Sequence, residues 1–119
     1  MNGKLHLEKL TLKNNNYRKV IQTCKHSQLV IMSLLPLQEI GLETHNTTDQ
    51  FFRVEHGKAK VVLGKKNYSL VSGDSIIIPA GTKHNIINTS KTEKLKLYTV
   101  YSPGVHKPGT VQKTKPEND

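Results

Sequence analysis

The chain has 119 residues, a single cysteine and a formal charge of +9. This length predicts one domain with one modest core, because globular domains cluster near about 100 to 150 residues. No stretch approaches the roughly 20 apolar residues that cross a bilayer, and the N-terminal MNGKLHLEKL lacks the apolar block of a secretory signal. We therefore expect a cytoplasmic location and no membrane partner.

The cysteine and the charge bear on compartment and partners. Cys24 cannot form an internal disulfide, which agrees with a reducing compartment. The positive charge would steer acidic partners towards the chain, and nucleic acid is the obvious example. The lysines are scattered, however, and no basic block is interleaved with aromatic residues. A basic nucleic-acid-interacting protein is therefore the least favoured of the interpretations below.

Short apolar and β-branched segments recur along the chain between turn signals, and none carries a sustained helical stripe. In chain order, the predicted strands are 5–12, 17–23, 28–35, 50–55, 58–63, 67–71, 75–79, 84–88 and 95–101. The connecting loops are short, polar and mostly glycine-bearing, as hairpin loops are. The pattern predicts an all-β, antiparallel sandwich or barrel with little helix.

The domain is expected to end near Tyr101. Residues 1–101 would form the barrel together with N-terminal strands at 5–12 and 17–23. Residues 102–119 contain two Pro-Gly breaks and a charged end. We expect them to form an extended tail, laid along the barrel or a partner, with its last residues disordered.

The stretch GDSIIIPAGTKHNIIN, residues 73–88, places a polar side chain directly after a tight reversal. Pro79 ends the strand because it has no N–H to donate, and Gly81 permits backbone angles that a side chain would forbid. His84 then begins the returning strand. The reversal therefore predicts that the imidazole lies at one end of the barrel.

A second polar cluster lies upstream, in GLETHNTTDQFFRVEHG. Glu43 and His45 would share one face of an extended chain, because side chains alternate with a period of two. Gln50 is in phase with Phe52 on the inward face of the next strand, whereas the adjacent Asp49 faces outward unless a bulge intervenes. A carboxylate, two imidazoles and an amide can then converge near the mouth of the barrel.

These residues resemble the two motifs of the cupins. The pattern G-x5-P-x-G-x2-H-x3-N, from Gly73 through Pro79, Gly81 and His84 to Asn88, matches the second motif at every position. The first motif, Gly, five residues, His-x-His, three or four residues, Glu, six residues, Gly, is degenerate here. Glu43 stands at its first His, His45 at the second, Gln50 at the Glu and Gly57 at the final Gly.

The segments KHSQLVIMSL, DQFFRVEHG, PAGTKHNIINTS and LKLYTVYSPG are similar to a bacterial subgroup of small single-domain cupins. Its members are often labelled cupin-2 or mannose-6-phosphate-isomerase-like. The resemblance implies a double-stranded β-helix, the cupin jelly-roll barrel, with one divalent metal ion in its lumen. It also implies a homodimer that pairs through N-terminal strands, for which an uncovered sheet edge is suited.

Carried over position by position, the resemblance implies Glu43, His45, Gln50 and His84 as metal ligands. Two imidazoles and a carboxylate suit Fe(II), Mn, Ni or Zn and leave coordination positions open. The amide of Gln50 is a weaker, neutral donor. Each residue also has an ordinary structural interpretation: a solvated Glu, a histidine after a turn, or a Gln that satisfies a buried backbone group.

Other candidates are weaker. Phe52, Thr99 and Met32 would line the pocket or fill the barrel, since inward strand positions need packing. Tyr101, in phase with Thr99, would line the pocket with its hydroxyl or lie at the barrel rim. His26 and His106 could reach the cavity from its flanks, but lone histidines in loops are mostly solvated.

The leading hypothesis is a metal-binding cupin that holds a small polar molecule in its lumen, with isomerase-like or metal-dependent oxygen chemistry as its reaction. The first alternative is a non-catalytic binding or sensing module. The second is the nucleic-acid-interacting protein. No nucleophilic triad or phosphate-binding glycine loop is visible in the sequence.

Overall fold

The computed structural model describes residues 3–117, which form one short helix and nine strands. The elements are α1 (Leu7–Lys13), β1 (Arg18–Thr23), β2 (Gln28–Leu34), β3 (Asp49–His56), β4 (Lys58–Leu63), β5 (Lys66–Val71), β6 (Ser75–Ile78), β7 (His84–Asn88), β8 (Leu95–Ser102) and β9 (Val111–Gln112). Eight of the nine predicted strands are therefore present, and none of their bounds differs from the predicted one by more than one residue.

The strands form a six-stranded sheet, in the order β6-β3-β8-β2-β1-β9, and a three-stranded sheet, in the order β5-β4-β7. All strand pairings are antiparallel. Buried apolar side chains from both sheets, such as Met32 and Phe52 in one and Val61 and Ile86 in the other, form a single core cluster. The predicted double-stranded β-helix is confirmed.

The register of β2, β8 and β3 arranges their inward side chains in layers. The outermost layer is polar and consists of Gln28, Tyr101 and Gln50. The second layer contains Val30, Thr99 and Phe52, and the third contains Met32, Leu97 and Val54. All of these side chains are buried. The lumen is thus filled with apolar groups below a polar layer at one end of the barrel.

The strand predicted over residues 5–12 is wrong, because Leu7–Lys13 forms α1. The alternating leucines suggested a period of two, and a helix of seven residues is too short to show a helical stripe. The helix lies on the outer face of the large sheet, where Leu7 shares a groove with Leu29 and Val100. No helix within residues 3–117 is long and apolar enough to span a membrane.

Residues 103–117 run back over the barrel, and β9 pairs with β1. The backbone N–H of Val20 also donates to the carbonyl of Thr110 over 2.8 Å. Part of the β1 edge is therefore occupied by the chain's own tail, and the homodimer stays a prediction. The expected disorder at the very end concerns Asn118 and Asp119, which lie outside the described residues.

Asn88, the last residue of the second motif, holds loops together and is fully buried. Its Nδ2 donates to the carbonyls of Leu35 and Glu93 over 3.0 and 2.9 Å, and lies 3.3 Å from that of Leu34. Its Oδ1 accepts a hydrogen bond of 3.0 Å from the backbone N–H of Ser90. This motif residue is therefore structural.

Replacing Asn88 by alanine should destabilise the protein by about 3 kcal/mol, because several buried backbone groups lose their partner at once. Asn67, exposed on β5, provides the control, and Asn67→Ala should cost less than about 0.5 kcal/mol. Urea unfolding of both variants measures the difference. Equal midpoints for the two variants would contradict the structural role of Asn88.

Candidate metal centre

The backbones of Glu43 and His84 bind each other directly, although these residues lie far apart in sequence. Each N–H donates to the carbonyl of the other over 2.9 Å, as in a hydrogen-bonded antiparallel pair. Side chains of directly opposed residues leave the same face of the backbone. This pair therefore brings a carboxylate beside an imidazole.

A second set of bonds fixes His45. The backbone N–H of Gly81, whose φ of 83° suits glycine, donates to the carbonyl of His45 over 2.8 Å. Nearby, the N–H of Ala80 donates to the carboxylate of Asp49 over 2.8 Å. Asp49 is exposed, so it faces outward as predicted and holds the turn. The turn of the second motif is thus tied to the segment that carries the first.

The donor atoms of Glu43, His45 and His84 all lie within 4.8 Å of one another. His45 Nε2 is 3.1 Å from Glu43 Oε2, and His84 Nε2 is 3.9 Å from the same oxygen. The two imidazole rings are 5.5 Å apart, centre to centre. The side chains of Glu43 and His45 are 23 and 21% exposed and that of His84 only 3%, so the cluster opens to solvent on one side.

The hydrogen bonding of His84 leaves one ring nitrogen for a ligand. Its Nδ1 lies 2.9 Å from the carbonyl of Thr82, which can only accept, so Nδ1 carries the proton of a neutral ring. Its Nε2 is buried and has no hydrogen-bond partner among the described residues. An imidazole oriented in this way, with its second nitrogen bound to a carbonyl, is the usual form of a metal-binding histidine.

Gln50 lies in the polar layer next to Tyr101 and is 2% exposed. Its Nε2 donates to the hydroxyl of Thr99 over 3.0 Å. Its Oε1 is buried and, like Nε2 of His84, has no hydrogen-bond partner within residues 3–117. A buried, unpaired amide oxygen costs free energy, which a ligand at the site would recover.

The predicted lining residues lie at different depths. Tyr101 packs edge-on against His45, with ring centres 5.8 Å apart, and so belongs to the immediate surroundings of the cluster. Thr99 contributes through Gln50. Phe52 and Met32 belong to the apolar core cluster, with Met32 in the third layer. These two fill the barrel below the site.

His106 is the residue that sequence reasoning underestimated. It was expected to be solvated, as His26 is. Instead, its Nε2 lies 3.3 Å from the hydroxyl of Tyr101, and the two rings meet edge to face. No periodicity could have revealed this contact, because His106 lies beyond the last long strand and reaches Tyr101 only after the chain reverses.

The donor set fits a divalent transition metal. Two neutral imidazoles and one carboxylate are the ligands that Fe(II), Mn, Ni and Zn accept, and three protein ligands leave positions open. The unpaired Nε2 of His84 supports the fit, because a nitrogen buried without a partner is what a ligand atom looks like before its metal binds. In this set, Glu43 is the only negatively charged ligand.

Comparisons with known proteins agree with the fold and the motifs. The family model described as "Cupin domain" matches residues 30–101. An uncharacterised protein of Acanthamoeba polyphaga mimivirus is 49% identical over 111 residues, covering 91% of this chain and 69% of that protein. The uncharacterised protein YrkC of Bacillus subtilis is 44% identical over 117 residues, covering 93% of this chain but 62% of YrkC.

A crystal structure from Bacillus halodurans is similar over nearly the whole chain. Its TM-score is 0.93 at 37% sequence identity, and the match covers 97% of this chain and 91% of that one. A cupin-2 domain protein from Shewanella frigidimarina shares the fold, with a TM-score of 0.63 at 21% identity over 86% of this chain and 95% of that one.

Without metal, the unpaired amide should make the site a source of instability. The double variant Gln50→Leu/Thr99→Val removes both members of a hydrogen bond, and the metal-free protein should gain up to about 1 kcal/mol. Thr99→Val alone should instead cost about 1 kcal/mol, since the buried Nε2 of Gln50 loses the hydroxyl that accepts its hydrogen bond. Urea unfolding in the presence of a chelator measures both. A double variant less stable than Thr99→Val would contradict this account.

Proposed function

The chain belongs to the cupin domain family, and from this we propose that Glu43, His45 and His84 hold one divalent metal ion at the mouth of the barrel. Gln50 is a fourth, weaker ligand. The remaining coordination positions receive a small polar molecule. The observation that carries the proposal is the convergence of three donor atoms within 4.8 Å, from two segments tied by their backbones.

When bound, such a metal ion polarises an oxygen atom of the ligand or lowers the pKa of a bound water. The protein's own residues supply orientation. Thr82 fixes the ring of His84 through Nδ1, and Thr99 fixes the amide of Gln50 through Nε2. Both remaining donor atoms, Nε2 of His84 and Oε1 of Gln50, then stay available for coordination.

The charge of the ligand set favours an anionic or strongly polarised molecule. Glu43 carries one negative charge, whereas the histidines and Gln50 are neutral in their ligating forms. A divalent ion held by this set keeps a net charge of about +1, which attracts an anionic oxygen of the incoming molecule. The surplus of positive charge on the chain would add to this attraction over longer distances.

The position of the site limits the direction from which a ligand can approach. Below the polar layer, Phe52, Val54 and Met32 fill the lumen. A ligand therefore reaches the metal from the exposed side, past Glu43 and His45. This geometry supports binding of a small polar molecule at the rim. It would suit a non-catalytic receptor as well as an isomerase or an oxygen-using enzyme.

Metal titration of untagged, chelator-treated protein tests the proposal. We expect about one Co(II) or Zn(II) per chain, and loss of at least about 100-fold in affinity in His45→Ala and in His84→Ala, because each removes one of three protein ligands. Calorimetry gives the stoichiometry, and the visible absorption of Co(II) reports its coordination.

His26→Ala is the matched control, since His26 is exposed in the turn between β1 and β2. Its affinity should equal that of the wild type. Unchanged metal binding in both His45→Ala and His84→Ala would refute the ligand assignment. Wild-type protein that binds no metal would refute the metal-binding function itself.

Replacing Gln50 by glutamate keeps the shape and adds a negative charge at the fourth ligand. The variant should bind Co(II) about tenfold more tightly, and the Co(II)-loaded protein should bind azide about tenfold more weakly, because both effects follow the charge of the ligand set. Titrations followed by visible absorption measure both affinities.

Gln22→Glu adds the same charge in the groove on the outer face of the large sheet, beside Leu7 and Val100. It should change neither affinity by more than about twofold, since screened charges at a distance interact weakly. If Gln50→Glu changed the Co(II) affinity and the azide affinity in the same direction, Gln50 would not belong to the ligand set.

A further inference from the structure

We propose that residues 103–106 complete the metal centre, with His106 acting through Tyr101 as a positioning residue for His45. The inference rests on the proposed metal-binding function and extends it to residues outside the family match, which ends at Tyr101. It assigns a role to the first part of the C-terminal tail.

A continuous series of aromatic contacts joins the tail to the site. His106 Nε2 lies 3.3 Å from the Tyr101 hydroxyl, and the ring centres are 5.2 Å apart at an interplanar angle of 79°. Tyr101 in turn meets His45 edge-on, at 5.8 Å and 88°. Edge-to-face pairs of this kind are attractive and geometrically specific. The orientation of the His45 ring therefore depends on Tyr101, and that of Tyr101 on His106.

Gln28 holds His106 in place. This side chain is 1% exposed and lies beside Tyr101 in the polar layer. Its Oε1 accepts from the backbone N–H groups of Val105 and His106 over 3.1 and 3.0 Å. Its Nε2 donates to the carbonyl of His106 over 2.7 Å and to the hydroxyl of Thr23 over 2.9 Å. A buried amide with both ends satisfied fixes the backbone of His106 at the barrel.

The neighbouring residues show how closely the tail approaches the barrel. A Cβ atom added to Gly104 would lie 2.9 Å from Cβ and 3.0 Å from Cδ of Gln28, so this position has room for glycine only. The hydroxyl of Thr48, in the loop that follows His45, donates to the carbonyl of Pro103 over 3.0 Å. The tail thus contacts the same loop that carries a metal ligand.

This arrangement matters because a ligand ring that turns freely must be ordered when the metal binds. Groups that hold a ligand in its binding orientation contribute to metal affinity without touching the metal. His45 is the more exposed of the two histidine ligands, whereas His84 is buried and fixed by Thr82. Packing by Tyr101 therefore matters more for His45.

The variants His106→Phe and His106→Gln separate the hydrogen bond from the ring. Phenylalanine keeps an aromatic ring but cannot bind the Tyr101 hydroxyl, and glutamine can place a nitrogen near the position of the histidine Nε2. In Co(II) titrations of the untagged full chain, His106→Phe should bind roughly tenfold more weakly, with shifted visible absorption bands. His106→Gln should recover most of the affinity and the wild-type spectrum.

Gly104→Ala provides a second route to the same effect, since its methyl group would displace the tail from Gln28. It should weaken Co(II) binding in the same direction as His106→Phe. His56→Phe is the matched control, because His56 lies at the opposite end of β3 from Gln50 and pairs with Glu93 over 3.4 Å. Thermal unfolding of each metal-free variant confirms that the fold is intact.

The outcomes distinguish this inference from the proposed function. A wild-type protein that binds Co(II), with His106→Phe and Gly104→Ala identical to it in affinity and spectrum, would overturn the role of His106 and leave the metal site standing. A His106→Gln variant as impaired as His106→Phe would also overturn it. A wild-type protein that binds no Co(II) would overturn the metal site and this inference together.

Discussion

The reciprocal backbone hydrogen bonds between Glu43 and His84 are the contact on which the rest of the site depends. They join two segments separated in sequence by β3, β4, β5 and β6, and they bring the carboxylate close to the buried imidazole. Backbone bonds suit this purpose because they leave the side chains free for other partners. The carbonyl of His45, bound by Gly81, adds a second attachment between the same segments. The relative positions of the segments that carry Glu43, His45 and His84 are therefore fixed by main-chain hydrogen bonds.

Most of the fold could be predicted from local patterns. Alternation and glycine-bearing turns located eight strands, because the inward positions of a small barrel must be apolar and the hairpins between them must be short. The one predicted strand that is absent is replaced by α1. Its few leucines fit the period of a strand as well as that of a short helix. Its position depends on contacts with β8, β3 and β2, which local sequence does not encode.

The site was less completely visible in the sequence. Phase placed Gln50 on the inward face, and the turn through Pro79 and Gly81 placed His84 at the barrel end, since both follow from local backbone geometry. The closeness of the Glu43 and His84 side chains is a long-range property. The phase of the strands allowed it, and the resemblance to a family implied the ligand set. The contact of His106 with Tyr101 could not be predicted at all, because it depends on a chain reversal held by Gln28.

The layered interior separates two demands that usually compete. The apolar layers around Phe52, Met32 and Leu97 form the core, whereas the proposed metal ligands and the residues that position them lie at the rim, in residues 43–50, 79–84 and 101–106. Substitutions at the partly exposed rim positions Glu43 and His45 should therefore disturb folding less than substitutions in the buried layers.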